Sequence, residues 1–174
     1  LVVCCFLWGL NQVAVKVALP EIPALLQAGG RSLIGALLVF AWARWRGVAM
    51  FNADGTLGAG LFAGALFAAE FGAIFLGLQF TTASRMVVFL YLSPFVVALG
   101  MPFIAHSERL AVAPAIGLLL AFAGVAWAFA EGFTLPAAGP RQWWGDALGV
   151  AAALLWAATT MVIRASRLST ASAE

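Results

Sequence analysis

Long apolar runs, broken by short polar or proline-bearing interruptions, set the plan of this chain. A helix that crosses bilayer hydrocarbon needs about 20 mostly apolar residues. Six stretches meet that length: 1–19, 22–43, 57–79, 83–105, 110–130 and 145–163. Pro20-Glu21-Ile22-Pro23 separates the first two. Arg44-Trp45-Arg46-Gly47 opens the next loop and Asn52-Ala53-Asp54-Gly55 closes it. Thr81-Thr82-Ala83-Ser84-Arg85 is a tight connection with hydroxyls suited to capping the fourth helix. His106-Ser107-Glu108-Arg109 joins the fourth and fifth, and the longest loop, 131–144, carries Pro136, Gly139, Pro140 and the interfacial pair Trp143 and Trp144. Open sheet edges cannot sit in hydrocarbon, and the runs lack the alternation of barrel strands. The pattern predicts an all-α membrane protein, a multi-span transmembrane helical bundle.

Composition removes the main competing classes. Apolar residues make up 64% of the 174 and charged residues 9%, against about 25% charged in soluble domains. A net charge of +2 without a basic tract leaves no footprint for nucleic acid. His106, Cys4 and Cys5 do not have the spacing of a metal site, and the adjacent cysteines, inside an apolar run, give no disulfide framework. There is no Ser/His/Asp arrangement and no phosphate-cradling glycine loop, so no catalytic residue, metal or other cofactor is expected. Leu1 opens directly on an apolar run and Glu174 follows another, which gives the expectation of a fragment with both ends cut. No charged leader or cleavage site marks a signal peptide. Arg44, Arg46, Arg109, Arg164 and Arg167 fall on one side of the membrane, and Lys16, Arg85 and Arg141 on the other. The richer side is expected to be cytoplasmic, and the N-terminus with it.

Within the spans, small residues recur four apart, as Gly60 and Gly64, and as Gly145 and Gly149. Such spacing lets helix backbones approach closely, although general Ala/Gly richness explains each pair about as well.

The sixth stretch restarts the first. Leu7-Trp8-Gly9-Leu10-Asn11-Gln12-Val13-Ala14-Val15-Lys16 parallels Leu155-Trp156-Ala157-Ala158-Thr159-Thr160-Met161-Val162-Ile163-Arg164. A tryptophan, a polar pair three residues on and a cation eight residues on recur in both. A five-helix unit of odd span number returns upside down, which is an inverted repeat. The expected organisation is a first repeat over 1–131, a connection over 132–144 and the truncated start of a second repeat over 145–174, within a ten-span protein.

Several polar groups lie where lipid would be the wrong solvent. Trp8, Gln12 and Lys16, with Asn11 beside them, share one helix face, as do Trp156, Thr159, Thr160 and Arg164. Such stripes face protein or a water-filled cavity, either lining a pathway or bonding helices together; Lys16 and Arg164, near helix ends, can also snorkel. Arg31 and Glu70 interrupt their runs so that neither flank spans alone, and both come roughly 14 Å inside the non-cytoplasmic end by helix rise. They read either as a buried ion pair or as a proton or substrate-charge site, with Glu70 the stronger candidate. Tyr91, Ser93 and Pro94 lie mid-span in the fourth stretch, where proline frees a carbonyl and kinks the helix.

Together these segments resemble the EamA-like transporter family of the drug/metabolite transporter superfamily. The resemblance rests on the Leu7–Lys16 run, on Pro23 leading to Arg31, on Thr82-Ala83-Ser84-Arg85-Met86-Val87-Val88-Phe89-Leu90-Tyr91-Leu92-Ser93-Pro94-Phe95, and on Ser107-Glu108-Arg109-Leu110 followed by Ala121-Phe122-Ala123-Gly124-Val125. It implies ten spans in two inverted repeats and export or exchange of small metabolites, amino acids or drugs, often proton-coupled. It also implies a central cavity to which Trp8, Asn11, Arg31 and the Ser93-Pro94 step belong. Ser107 departs from the glycine more usual there, and Glu70 is not part of the general pattern. The expectation is a multi-pass inner or plasma membrane transporter working by alternating access on a small-molecule substrate, with a homodimer left open. Its candidate pathway residues are Trp8, Asn11, Gln12, Arg31, Glu70, Tyr91, Ser93, Pro94, Trp156 and Thr159. The alternatives are a non-transporting membrane scaffold and an intramembrane enzyme, and without spans seven to ten the chain is not expected to transport by itself.

Overall fold

The computed structural model describes residues 21–48, 55–104, 111–134 and 139–170, together with Val2, Val3, Phe6, Leu7 and Leu10. Every regular element among the described residues is helical: α1 (Ala24–Trp45), α2 (Thr56–Gly77), α3 (Ala83–Leu90), α4 (Ser93–Ile104), α5 (Val112–Ala128), α6 (Glu131–Thr134) and α7 (Gln142–Ala165), then a 3₁₀ turn at Arg167–Thr170. Among the described residues four helical segments are long and apolar enough to cross a membrane: Leu25–Trp45, Thr56–Gly77, the composite Ala83–Ile104 and Gln142–Ala165. The fifth apolar stretch forms a shorter helix of 17 residues. Of the first stretch only five residues are described, and these are helical. Residues 1–48 and 49–174 form two compact units.

In the first unit, α1 starts where the sequence predicts, behind Pro23, whose carbonyl accepts from the Leu26 and Gln27 nitrogens. Proline before the first turn costs nothing, because that turn has no intrahelical acceptor to lose. The helix stops at Gly47, which takes the left-handed conformation (φ +70°) and lets Val48 N donate to Ala43 O at 3.0 Å. The Arg46 guanidinium lies 5.4 Å from the Trp42 ring centre, an end suited to the membrane surface.

The second unit is organised around α7, which packs on α2, α3 and α4. α2 runs antiparallel to it: Gly77 at the end of α2 faces Gly145 and Leu148 near the start of α7, and Gly55 at the other end faces Arg167. The buried interior is small: Ala63, Ala73, Phe75, Met86, Val88, Met101, Ala152, Ala153 and Ala157. Leu, Phe and Trp side chains cover the outside, the reverse of a soluble protein and the arrangement that hydrocarbon favours.

The fourth predicted span is interrupted. α3 ends at Leu90 and α4 begins at Ser93, with Tyr91 and Leu92 in a turn between them. Pro94 is the cause, because it offers no N–H to the Leu90 carbonyl one turn back. Shorter bonds fill in locally: Leu92 N donates to Phe89 O and Phe95 N to Leu92 O, both at 3.0 Å. The cap expected in the preceding connection is present, with Arg85 N donating to Thr82 Oγ1 at 3.3 Å. Thr82→Ala is therefore expected to cost about 1 kcal/mol, read as a small fall in the melting temperature of the detergent-solubilised protein.

The connection before α7 is shorter than the sequence suggests. α6 occupies Glu131–Thr134, and α7 begins at Gln142 rather than at Gly145. Trp143 and Trp144 thus form part of its first turn, stacked with ring centres 4.4 Å apart and exposed, as befits an interfacial pair.

Candidate functional site

The second unit buries a single acidic side chain deeply among its described residues. Glu70, in the last third of α2, is 2% exposed, and its Oε2 has no hydrogen-bond partner among the described residues. Its level in the bundle follows from one contact zone. A methyl group at Gly77 would fall 2.5 Å from Met86 Cε and 3.2 Å from the Gly145 carbonyl oxygen, so α2, α3 and α7 meet there. Two turns back along α2 from Gly77 is Glu70. Two turns forward from Met86 is Ser93, and two turns forward from Gly145 is Ala152. Because α2 runs opposite to α3 and α7, these three residues lie at one level, about 10 Å in from the contact zone. All three are buried. The Tyr91–Leu92 turn lies at this level too, so the interrupted helix and the buried Glu70 carboxylic group share a depth.

The other sequence candidates divide. Thr159 is buried on α7, but its hydroxyl donates to Leu155 O at 2.9 Å on its own helix. Thr160 does likewise to Trp156 O at 3.1 Å. Such back-bonding satisfies a hydroxyl without a neighbouring helix. Tyr91, Pro94 and Trp156 are exposed on the outside of this unit. Arg31 lies on α1 in the other unit, and its pairing with Glu70 stays an expectation. Trp8, Asn11, Gln12 and Lys16 lie outside the described residues, as do His106, Cys4 and Cys5.

One cluster escaped the sequence reading. Arg85, in the first turn of α3, and Asp146, in the first turns of α7, form a two-pronged ion pair: Nε donates to Oδ1 at 3.0 Å and Nη2 to Oδ2. Thr81 Oγ1 donates to the same Oδ1 at 2.7 Å. The Arg85 guanidinium also reaches the Gly132 carbonyl and lies 4.3 Å from the Phe133 ring centre. The clue in the sequence is two opposite charges, each just inside an apolar helix that starts from the same side of the membrane.

The small-residue pairs also divide. Gly145 and Gly149 make the close approach their spacing suggests, against Thr81 and Gly77, and against Met86 and Phe89. Among the described residues Gly64 has nothing within 4 Å, and Gly60 only the tip of Leu168. Equal spacing thus gives unequal use, because a groove matters only where another helix fills it.

Membrane-length helices with apolar exteriors, an interrupted span and a buried acidic residue at its level narrow the class, and comparison of the sequence decides it. Residues 1–130 match the EamA-like transporter family. The chain belongs to that family. No curated protein and no solved structure gives a significant match. As an EamA-like chain it is a membrane transporter of the drug/metabolite type, a multi-pass protein whose natural surroundings are a lipid bilayer and whose partners include a small-molecule substrate. The EamA-like match takes in α1 to α5, and with them Glu70 and the α3–α4 turn.

Proposed function

We propose that this transporter exports or exchanges a small metabolite, amino acid or drug by alternating access, and that Glu70 carries the proton or the substrate charge that couples the movement. Glu70 itself supports the reading most strongly. An ionisable group placed far inside a membrane helix is costly and is commonly kept for a pathway. Here it is buried, with one oxygen unpartnered among the described residues. The break at Tyr91–Leu92 adds irregular backbone at the same depth, and transporters use such backbone where it borders a cavity. Ser93 supplies a hydroxyl at that level.

The organisation that goes with this reading is two inverted five-helix repeats. Residues 1–131 make the first, and 145–174 open the second after a connection at 132–144. The N-terminus is cytoplasmic and the membrane is the inner or plasma membrane. The candidate pathway residues that go with this reading are Trp8, Asn11, Gln12, Arg31, Tyr91, Ser93, Pro94, Trp156 and Thr159.

Counterflow in proteoliposomes containing the whole protein tests this. Vesicles preloaded with one of a panel of unlabelled small metabolites, amino acids and drugs are expected to accumulate the labelled form of at least one, and a proton gradient is expected to change its rate. Protein-dependent accumulation of none, with the protein folded, would favour the scaffold reading instead.

A further inference from the structure

We propose that Arg85 and Asp146 form a gate latch, which closes one end of the helix bundle in this conformation and must part when the transporter exposes its centre on that side. The proposal rests on the transport reading above. Its first support is what the pair joins. Arg85 starts the interrupted fourth span, Asp146 starts the helix that opens the second repeat, and alternating access moves the repeats against each other.

The second support is a gradient in packing. At the Asp146 end, methyl groups added at Gly145, Gly132 and Gly77 would each come within 2.8 Å of a neighbour, in the first case of Thr81 and Gly77 backbone. At the far end of the same helix pair, among the described residues, Gly55 meets the Arg167 tip, at 3.4 Å, and Gly60 a leucine methyl, at 4.0 Å. Beside the ion pair the α2–α7 pair thus meets backbone to backbone, whereas the opposite end of α7 is met by flexible side-chain tips, including Met161 against Gly100 of α4.

The third is that the bond is placed to break at little cost. Asp146 lies one turn inside Trp143, whose exposed ring marks the interface, so water can receive the carboxylate when it leaves. A pair at the Glu70 level would have no such solvent. On parting, Arg85 keeps the Gly132 carbonyl and the Phe133 ring, both on its own side of the gate, while Asp146 departs with α7.

The test uses the whole transporter in oriented membranes, with Cys4 and Cys5 changed to alanine and Ser93→Cys as a reporter at the closed centre. A membrane-impermeant maleimide is added from the face that carries Trp143. Arg85→Gln and Asp146→Asn are each expected to raise labelling from that face several-fold and lower it from the other, and the exchanged pair R85D/D146R is expected to return both toward the parent. Were the pair a static staple, the single variants would melt lower while labelling kept the parent's sidedness, and that result overturns the latch. Should the single variants fail to accumulate, Arg85→Lys and Asp146→Glu, which keep charge and alter reach, are read by the same criterion. Absence of flux in the parent would overturn the transport reading and the latch with it. Normal flux with unchanged sidedness would overturn the latch alone.

Discussion

Gly145→Val is expected to lower the melting temperature sharply, whereas Gly64→Ala is expected to leave it at or slightly above the parent's. The two glycines occupy similar spacings in the sequence, but only Gly145 touches backbone. A methyl there would lie 2.7 Å from the Thr81 nitrogen and 2.8 Å from the Gly77 oxygen, and backbone atoms cannot rotate away as a methionine tip can. To admit valine, α7 must move off the α2–α3 turn, which also pulls Asp146 from Thr81 and Arg85. Overpacking alone costs about 1–3 kcal/mol, and the lost bonds add to it. At roughly 2–4 °C per kcal/mol for a chain of this size, the melting temperature in detergent is expected to fall by about 10 °C. At Gly64, with nothing within 4 Å among the described residues, alanine should instead gain a little from its better helix propensity. Equal melting temperatures for the two variants would contradict the contact zone on which the depth of Glu70 is argued.

Glu70→Leu is expected to raise stability while removing proton-gradient-driven flux. The carboxylic group is 2% exposed and its Oε2 lacks a partner among the described residues. A buried polar group left unsatisfied costs about 1–3 kcal/mol, and leucine of similar size removes that cost, so the melting temperature should climb by a few degrees. Glu70→Gln keeps the shape and the polarity but can neither carry a proton nor balance a charge. Counterflow in that variant is expected to lose its response to the gradient. A stability gain without loss of coupling would make Glu70 a relic of packing, and a stability loss would reveal a partner that holds it.

Run length made most of the helices legible in the sequence, since hydrocarbon demands about 20 apolar residues whatever their identity. Glu70 was legible for the same reason, being a charge with no apolar run long enough on either side to leave it out. Pro94 announced the interruption of the fourth span but not its extent, which depends on how Leu92 and Phe89 rearrange their backbone bonds. The apolar run alone starts α7 too late because Trp143 and Trp144 look like loop aromatics, whereas their amphipathic rings let the helix continue into the interface. Arg85 and Asp146 stand 61 residues apart with no local pattern to couple them; only the antiparallel return of α2 brings their helix starts together. Gly145 and Gly60 each head a four-residue pair, and nothing local distinguishes them, because the difference lies in the neighbouring helix.

The central claim is that the Glu70 level, closed here, opens to water during transport. Modification of Glu70 in proteoliposomes by a water-soluble carbodiimide and an amine nucleophile, followed by mass spectrometry, tests it most directly. Glu70 is expected to be modified in the working protein and protected when a transported substrate is added. Modification only by a lipid-soluble carbodiimide, at a rate indifferent to substrate, would contradict the account.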